Sequence, residues 1–252
     1  MSQKNEIHVR KRSMRRLMCE RCLRPQTHCL CASIPALDSR TRVVVLQHPD
    51  ESHHALNTAR LAVLGLRNAE LHIGRQFDAA LWRVEGYRPC LLFPGEGARV
   101  LMGQAHADVD NGAEAERVAL MSGARGAAST SNTVSSCAVD QPVLLVVPDG
   151  TWRHARQLLS AHAGLAALPR LTLPVGITTR YRVRHAGDAH ALSTIEAIAA
   201  ALDVLDAPNR YSALLAPFEK LIEGQIAAMG QDRYQRHHVS RLGSRAAKSF
   251  SG

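Results

Sequence analysis

The sequence predicts an α/β domain built on a mostly parallel sheet flanked by helices, with a small cysteine-rich element ahead of it. Three observations carry this expectation. Apolar runs of strand length, such as Val43-Val44-Val45-Leu46 and Val143 to Val147, alternate with amphipathic stretches of helical length. The runs end in turn-forming or polar residues: His48-Pro49, Pro94-Gly95 and Pro148-Asp149-Gly150. Four cysteines crowd into positions 19–31, before the first run. Strands separated by helices favour parallel pairing, because the helix supplies the long crossover that a parallel neighbour needs.

In chain order, a basic arm over 1–18 leads into the cysteine element at 19–38. Arg42 to Gln47 then reads as a buried strand, and Ser52 to Leu66 has the periodicity of a helix ending near Gly65. Strands are predicted at Glu70 to Ile73 and Pro89 to Phe93. Between about 100 and 141 the chain turns to Ala, Ser, Gly, Asn and Thr, which reads as an insertion, with a short helix at Glu114 to Met121. The strand before Pro148 follows, then a helix from Thr151 to His162, and strands at Leu171 to Leu173 and Arg180 to Arg184. Helices at Thr194 to Leu205 and Ser212 to Met229 close the domain at 39–229, leaving a basic tail over 230–252.

The net charge of +9 favours a polyanionic partner, and nucleic acid leads that class. The excess sits largely in the two arms, in residues such as Arg10, Lys11 and Arg12 and again Arg236, Arg241 and Arg245. Aromatic content of 4% excludes a broad base-stacking platform, so recognition should rest on charge and shape. No apolar run approaches the length of a membrane span and no secretory core follows the basic start, so the expectation is a cytoplasmic protein with no membrane partner.

Cys19, Cys22, Cys29 and Cys31 form a C-x2-C-x6-C-x-C array. Two close thiolate pairs joined by a short loop supply the four tetrahedral ligands of a structural zinc, and four cysteines leave no open position for catalysis. Free reduced thiols are the alternative. Further on, Pro148-Asp149-Gly150-Thr151-Trp152 joins a strand to a helix, where open α/β sheets place their chemistry. Each of its residues also has an ordinary use: turn glycine, cap threonine, core tryptophan. Ser193-Thr194-Ile195-Glu196 has the spacing of a capping box and can equally present backbone amides to an anion. Arg180, Arg182 and Arg184 alternate on a predicted strand and so share one face, which suits phosphate or simply solvent.

Gln47-His48-Pro49-Asp50-Glu51, Leu91-Leu92-Phe93-Pro94, Asp149-Gly150-Thr151-Trp152 and Ser193-Thr194-Ile195-Glu196-Ala197, in this order and behind the cysteine array, resemble the DTW-domain family of tRNA-uridine aminocarboxypropyltransferases. The resemblance runs from Cys19 to about Met229, and departs from the pattern at the 100–141 insertion and at Gly150, which separates the aspartate from the Thr-Trp pair. It implies transfer of the 3-amino-3-carboxypropyl group of S-adenosylmethionine to N3 of a tRNA uridine, with methylthioadenosine released. It also implies kinship with knotted RNA methyltransferases.

On that reading Asp149 or Glu196 is the catalytic carboxylate. Leu92, Pro94, Gly150, Thr151, Trp152, Ser193 and Thr194 contact the donor, and His48 with the three arginines contacts RNA. Two other functions fit the same residues: an S-adenosylmethionine-dependent RNA methyltransferase, and a non-catalytic zinc-containing RNA-binding module.

Overall fold

The computed structural model describes residues 17–52, 54, 56–102, 141–174, 177, 179, 192–230 and 234. Its centre is a six-stranded, all-parallel sheet formed by β1 (Arg42–Gln47), β2 (Ala69–Ile73), β3 (Arg88–Leu92), β4 (Arg99–Val100), β5 (Val143–Asp149) and β6 (Arg170–Thr172). The order across the sheet is β2-β1-β5-β3-β6-β4. From β1 the chain steps outward to β2 and then crosses back to β3 on the far side of β5. The direction of winding therefore reverses around β1 and β5, and that reversal opens a crevice at their carboxyl ends.

Burial on both faces explains why β1 and β5 are unbroken apolar runs rather than alternating ones. Val43, Val45, Leu145 and Val147 point into one core, against α2 (Ala59–Gly65), α5 (Thr194–Leu205) and α6 (Ala216–Met229). Val44, Leu46, Leu144 and Val146 point into the other, against Trp82, Leu159 and Leu165. Leu159 lies on α3 (Trp152–Ala161) and Leu165 on the short α4 (Ala163–Ala166). A buried carboxylate ties the strand start to the first core: Asp206, just after α5, accepts from Thr41 N, Thr41 Oγ1 and Tyr211 Oη.

β5 runs two residues further than its apolar run, through Pro148 and Asp149. A proline is tolerated here because β3 pairs with β5 only as far as Val146. The expected helix over Ser52 to Leu66 is instead split into α1 (Pro49–Ser52) and α2. The break occurs because Asn57 turns its side chain inward to Gln47 and also accepts from Arg60 N at 3.2 Å, which starts a new helix. The helix predicted through His162 ends at Ala161, with α4 following. A 3-10 turn at Ala79–Trp82 and the two-residue β4 carry no sequence signal that singled them out.

The two basic arms, nearly all of the insertion including Glu114 to Met121, and the strand predicted over Arg180 to Arg184 lie outside the described residues. So does most of the β6–α5 connection. No helix among the described residues is long and apolar enough to cross a membrane.

Candidate active site

The crevice is organised around Asp149. Its backbone carbonyl accepts from His48 N at 2.9 Å, locking the end of β5 to the end of β1. Its side chain is held from both sides: Gln47 Nε2 donates to Oδ2 at 2.7 Å, and Thr194 Oγ1 donates to Oδ1. Gln47 is itself fully buried, and its amide pairs reciprocally with that of Asn57 at 3.2 Å in both directions. A buried amide with both ends bonded has one favoured orientation, so the carboxylate it touches is fixed as well.

Gly150 follows with φ +149°, a region that favours glycine. A Cβ at this position would lie 3.1 Å from His154 Cβ and 3.4 Å from His48 Cβ. The missing side chain is what lets the two histidines close under the turn, where their rings stack at 3.7 Å between centroids and 10° between planes. Thr151 caps α3 by accepting from His154 N at 3.2 Å. Trp152 is 51% exposed, so the core reading of this residue does not hold; its ring leans on Phe93, 5.4 Å away. Leu92 ends β3 half-buried and Pro94 is exposed just beyond it.

Ser193 is the N-cap of α5 and forms the capping box with Glu196. The Glu196 carboxylate, 6% exposed, accepts from Ser193 N at 2.8 Å, from Ser193 Oγ at 2.6 Å and from Thr179 Oγ1 at 3.0 Å. The structure thus brings Asp149, Thr194 and the Gly150–Trp152 turn together, with Glu196 behind the cap. Arg180, Arg182 and Arg184 lie outside the described residues.

His48, His154 and Asp50 approach one another, with His48 Nδ1 3.6 Å and His154 Nε2 3.9 Å from Asp50 Oδ2. Imidazole lone pairs lie in the ring planes, and two nearly parallel planes 3.7 Å apart do not converge on one ion. The pair is therefore a stacked wall rather than a ligand set. Asp50 N donates to His48 Nδ1 at 3.3 Å, which favours the neutral ring. Burial first, then the charge His154 would carry, hold His48 below the ordinary 6.5, against the smaller opposing effect of Asp50.

The cysteine array folds into a knuckle. Leu23, at φ +55°, completes the turn that returns Leu23 N to Cys19 O, while Cys19 N donates to Arg24 O at 2.7 Å. The four sulfurs lie within 4.8 Å of one another, with Cys19–Cys31 at 3.6 Å and Cys22–Cys29 at 3.8 Å. A tetrahedral zinc with sulfurs at about 2.3 Å needs edges of about 3.8 Å, so the donor set fits this ion.

The amides of Cys22 and Arg21 pull the Cys19 thiol down to about 6. Burial, with sharing of a proton among the neighbouring sulfurs, pushes Cys31 up to about 12. Both are expected where four thiols crowd together, since a dication releases the protons they would otherwise retain. Arg24 Nη2 reaches Asn57 O at 3.4 Å, and this contact joins the knuckle to the Asn57–Gln47–Asp149 chain.

The sequence reading missed three parts of the site. Gln47 carries no motif of its own; its position at a strand end facing a second strand-end acid is the available signal. His154 had only its spacing three residues after Thr151, and Arg75, whose Nη2 donates to Asp50 Oδ1 at 3.2 Å, had none.

The family description DTW domain matches residues 16–226. The chain is 27% identical over 244 residues to tRNA-uridine aminocarboxypropyltransferase 2 of Macaca fascicularis, covering 91% of this chain and 70% of that protein. It is 28% identical over 218 residues to the Drosophila melanogaster protein of the same name, covering 84% and 76%. A shorter stretch of 56 residues, 21% of each chain, is 43% identical to tRNA-uridine aminocarboxypropyltransferase A of Arabidopsis thaliana. No solved structure gave a significant match.

Proposed function

The chain belongs to the DTW-domain family, and from that premise we propose that it transfers the 3-amino-3-carboxypropyl group of S-adenosylmethionine to N3 of a tRNA uridine. The observation that carries the reading is Asp149, a carboxylate held by Gln47 and Thr194 at the carboxyl end of the central strand. A uridine N3 becomes nucleophilic only when its proton leaves, and a fixed carboxylate at the crevice is suited to accept it. The nitrogen then bonds to the γ-carbon of the donor while the carbon–sulfur bond breaks. The electron pair stays on sulfur, which departs as neutral methylthioadenosine.

The leaving group needs no acid, so the protein's task is alignment. Thr194 and the Gly150 turn hold the reacting region, and Trp152 with Phe93 offers a flat exposed surface for an adenine. Leu92, Pro94 and Ser193 complete the proposed donor side. Glu196 is assigned a positioning role, because its oxygens already receive Ser193 and Thr179. His48 and the arginines at 180, 182 and 184 remain proposed contacts to RNA. Zinc on Cys19, Cys22, Cys29 and Cys31 would supply structural cross-linking only, with all four positions filled by sulfur.

The reading is tested by incubating the purified protein with unmodified tRNA and S-adenosylmethionine and separating the adenosine by-products. Methylthioadenosine is expected in proportion to the tRNA modified. S-adenosylhomocysteine would establish methyl transfer instead, and neither product would leave the RNA-binding module.

A further inference from the structure

We propose that Asn57 is the positioning residue for Asp149 and that Arg24 clamps it from the cysteine knuckle, so that the knuckle governs the carboxylate through Arg24, Asn57 and Gln47. The proposal rests on the transferase reading and names what controls the placement of its base. Gln47 and Asp149 are register partners at the ends of β1 and β5. A carboxylate beside a primary amide takes its place from the sense in which that amide is seated, because the N–H attracts it and the oxygen repels it. What sets the sense of Gln47 therefore sets the position of Asp149.

Gln47 does not set it alone. Its Nε2 donates to Asn57 Oδ1 and its Oε1 accepts from Asn57 Nδ2, each at 3.2 Å, and a facing pair of this kind can be turned over together without losing a bond. Asn57 removes that freedom. Its Oδ1 also accepts from Arg60 N at 3.2 Å, a group that can only donate. Its Nδ2 also donates to Glu51 O at 3.3 Å and Ser52 O at 3.4 Å, groups that can only accept. A reversed Asn57 would set an oxygen against two carbonyls and an NH2 against an N–H. The backbone at the break between α1 and α2 thus fixes Asn57, Asn57 fixes Gln47, and the second Nε2 hydrogen is left for Asp149 Oδ2 at 2.7 Å.

Asn57 belongs to neither helix, so its backbone depends on what ties it. Its N–H donates to His54 O at 3.0 Å, a local bond, whereas its carbonyl accepts from Arg24 Nη2 at 3.4 Å, across from the knuckle. Arg24 is half-buried and is built into the cysteine turn, where its own carbonyl accepts from Cys19 N at 2.7 Å just beyond the buried Cys22. Closing the four sulfurs holds this turn, and with it the guanidinium that meets Asn57.

Three variants of the full zinc-loaded chain test the inference. Arg24→Met keeps the length of the side chain without its donors, and Arg24→Lys restores a cation. Asn57→Asp keeps the size but turns an oxygen toward Gln47 Oε1 and the two carbonyls. The expected kcat falls about tenfold in Arg24→Met and about 10²-fold in Asn57→Asp, on the scale of a base misplaced by about 1 Å. Zinc content and the Kd for S-adenosylmethionine should stay unchanged, and Arg24→Lys should regain part of the loss. Should Asn57→Asp not fold, the two Arg24 variants carry the test. A second readout needs no turnover: the side-chain amide resonances of Gln47, identified by their loss in Gln47→Leu, should shift and broaden in Arg24→Met.

An unchanged Gln47 resonance in Arg24→Met, or an Arg24→Lys no better than Arg24→Met, would overturn the clamp while leaving the transferase reading intact. A protein that forms no aminocarboxypropyl uridine, but whose Gln47 resonance answers to Arg24→Met, would overturn the reaction and support the positioning chain.

Discussion

The two polar centres of this molecule are assembled in opposite ways. The four sulfurs of the knuckle come from one short segment, Cys19 to Cys31, and meet through a local turn. The carboxylate of Asp149 is held by Gln47, 102 positions away in sequence, and by Thr194, 45 positions away. A local centre is closed by its own loop, whereas a distributed one exists only once the sheet has formed. The knuckle should therefore fail by losing structure, and the Asp149 cluster should fail by losing chemistry on an intact fold.

The largest effect expected is on chemistry alone. Asp149→Asn keeps the shape, with its oxygen accepting from Gln47 Nε2 and its amide N–H donating to Thr194 Oγ1, but it cannot take a proton; turnover should fall about 10²- to 10⁴-fold. Its melting temperature and zinc content should match the wild type. A large loss of stability in this variant would break the contrast between the two centres.

Cys22→Ser tests the other half. Cys22 is the buried member of the array, and its loss should release the metal and lower the melting temperature by many degrees. Arg24 ties the knuckle to Asn57, so activity should fall with it. Metal analysis beside a thermal melt checks this, and a metal-free protein of unchanged stability would contradict the structural role.

Gln47→Leu sharpens the comparison, because it removes the amide between Asp149 and Asn57 and leaves Asn57 Oδ1 and Nδ2 each short of one partner. A cost of about 1–3 kcal/mol in stability is expected, together with a lower kcat and little change in donor KM. Gly150→Ala should cost about 1–3 kcal/mol through backbone strain and the contact with His154. His154→Ala in the same chain should recover only a small part of it, because it removes the Nδ1 met at 3.3 Å and keeps the Cβ met at 3.1 Å.

The smallest effect is with pH. His48 titrates below the ordinary 6.5 in the fold, chiefly through burial and then through His154, with Asp50 and Glu51 opposing and Arg75 reinforcing the shift. A histidine whose folded value is depressed contributes stability at pH above 6.5, and that contribution is lost as pH falls through the folded value. Denaturant midpoints should decline over this acid range in the wild type, and the decline should be shallower in His154→Gln.

The same contrast governs what could be read from the sequence. The cysteine spacing, the runs that became β1 and β5, and the Ser193–Glu196 capping box are local patterns, and each predicts its own structure. The break between α1 and α2 was illegible because Asn57 answers to Gln47 on a strand rather than to its helical neighbours. Trp152 was ambiguous for a related reason: a tryptophan at a helix start serves a core or a surface equally well, and only the distance to Phe93 and its exposure decide. Asp149 was legible as a candidate from its place at a strand end, and its two holders were not.

The most direct test of the central claim is nucleoside mass spectrometry on unmodified tRNA incubated with S-adenosylmethionine and either the zinc-loaded wild-type protein or the Asp149→Asn variant. Aminocarboxypropyl uridine is expected with the wild type and at least a hundredfold less with the variant. Equal yields from the two proteins, or no such nucleoside from the wild type, would contradict it.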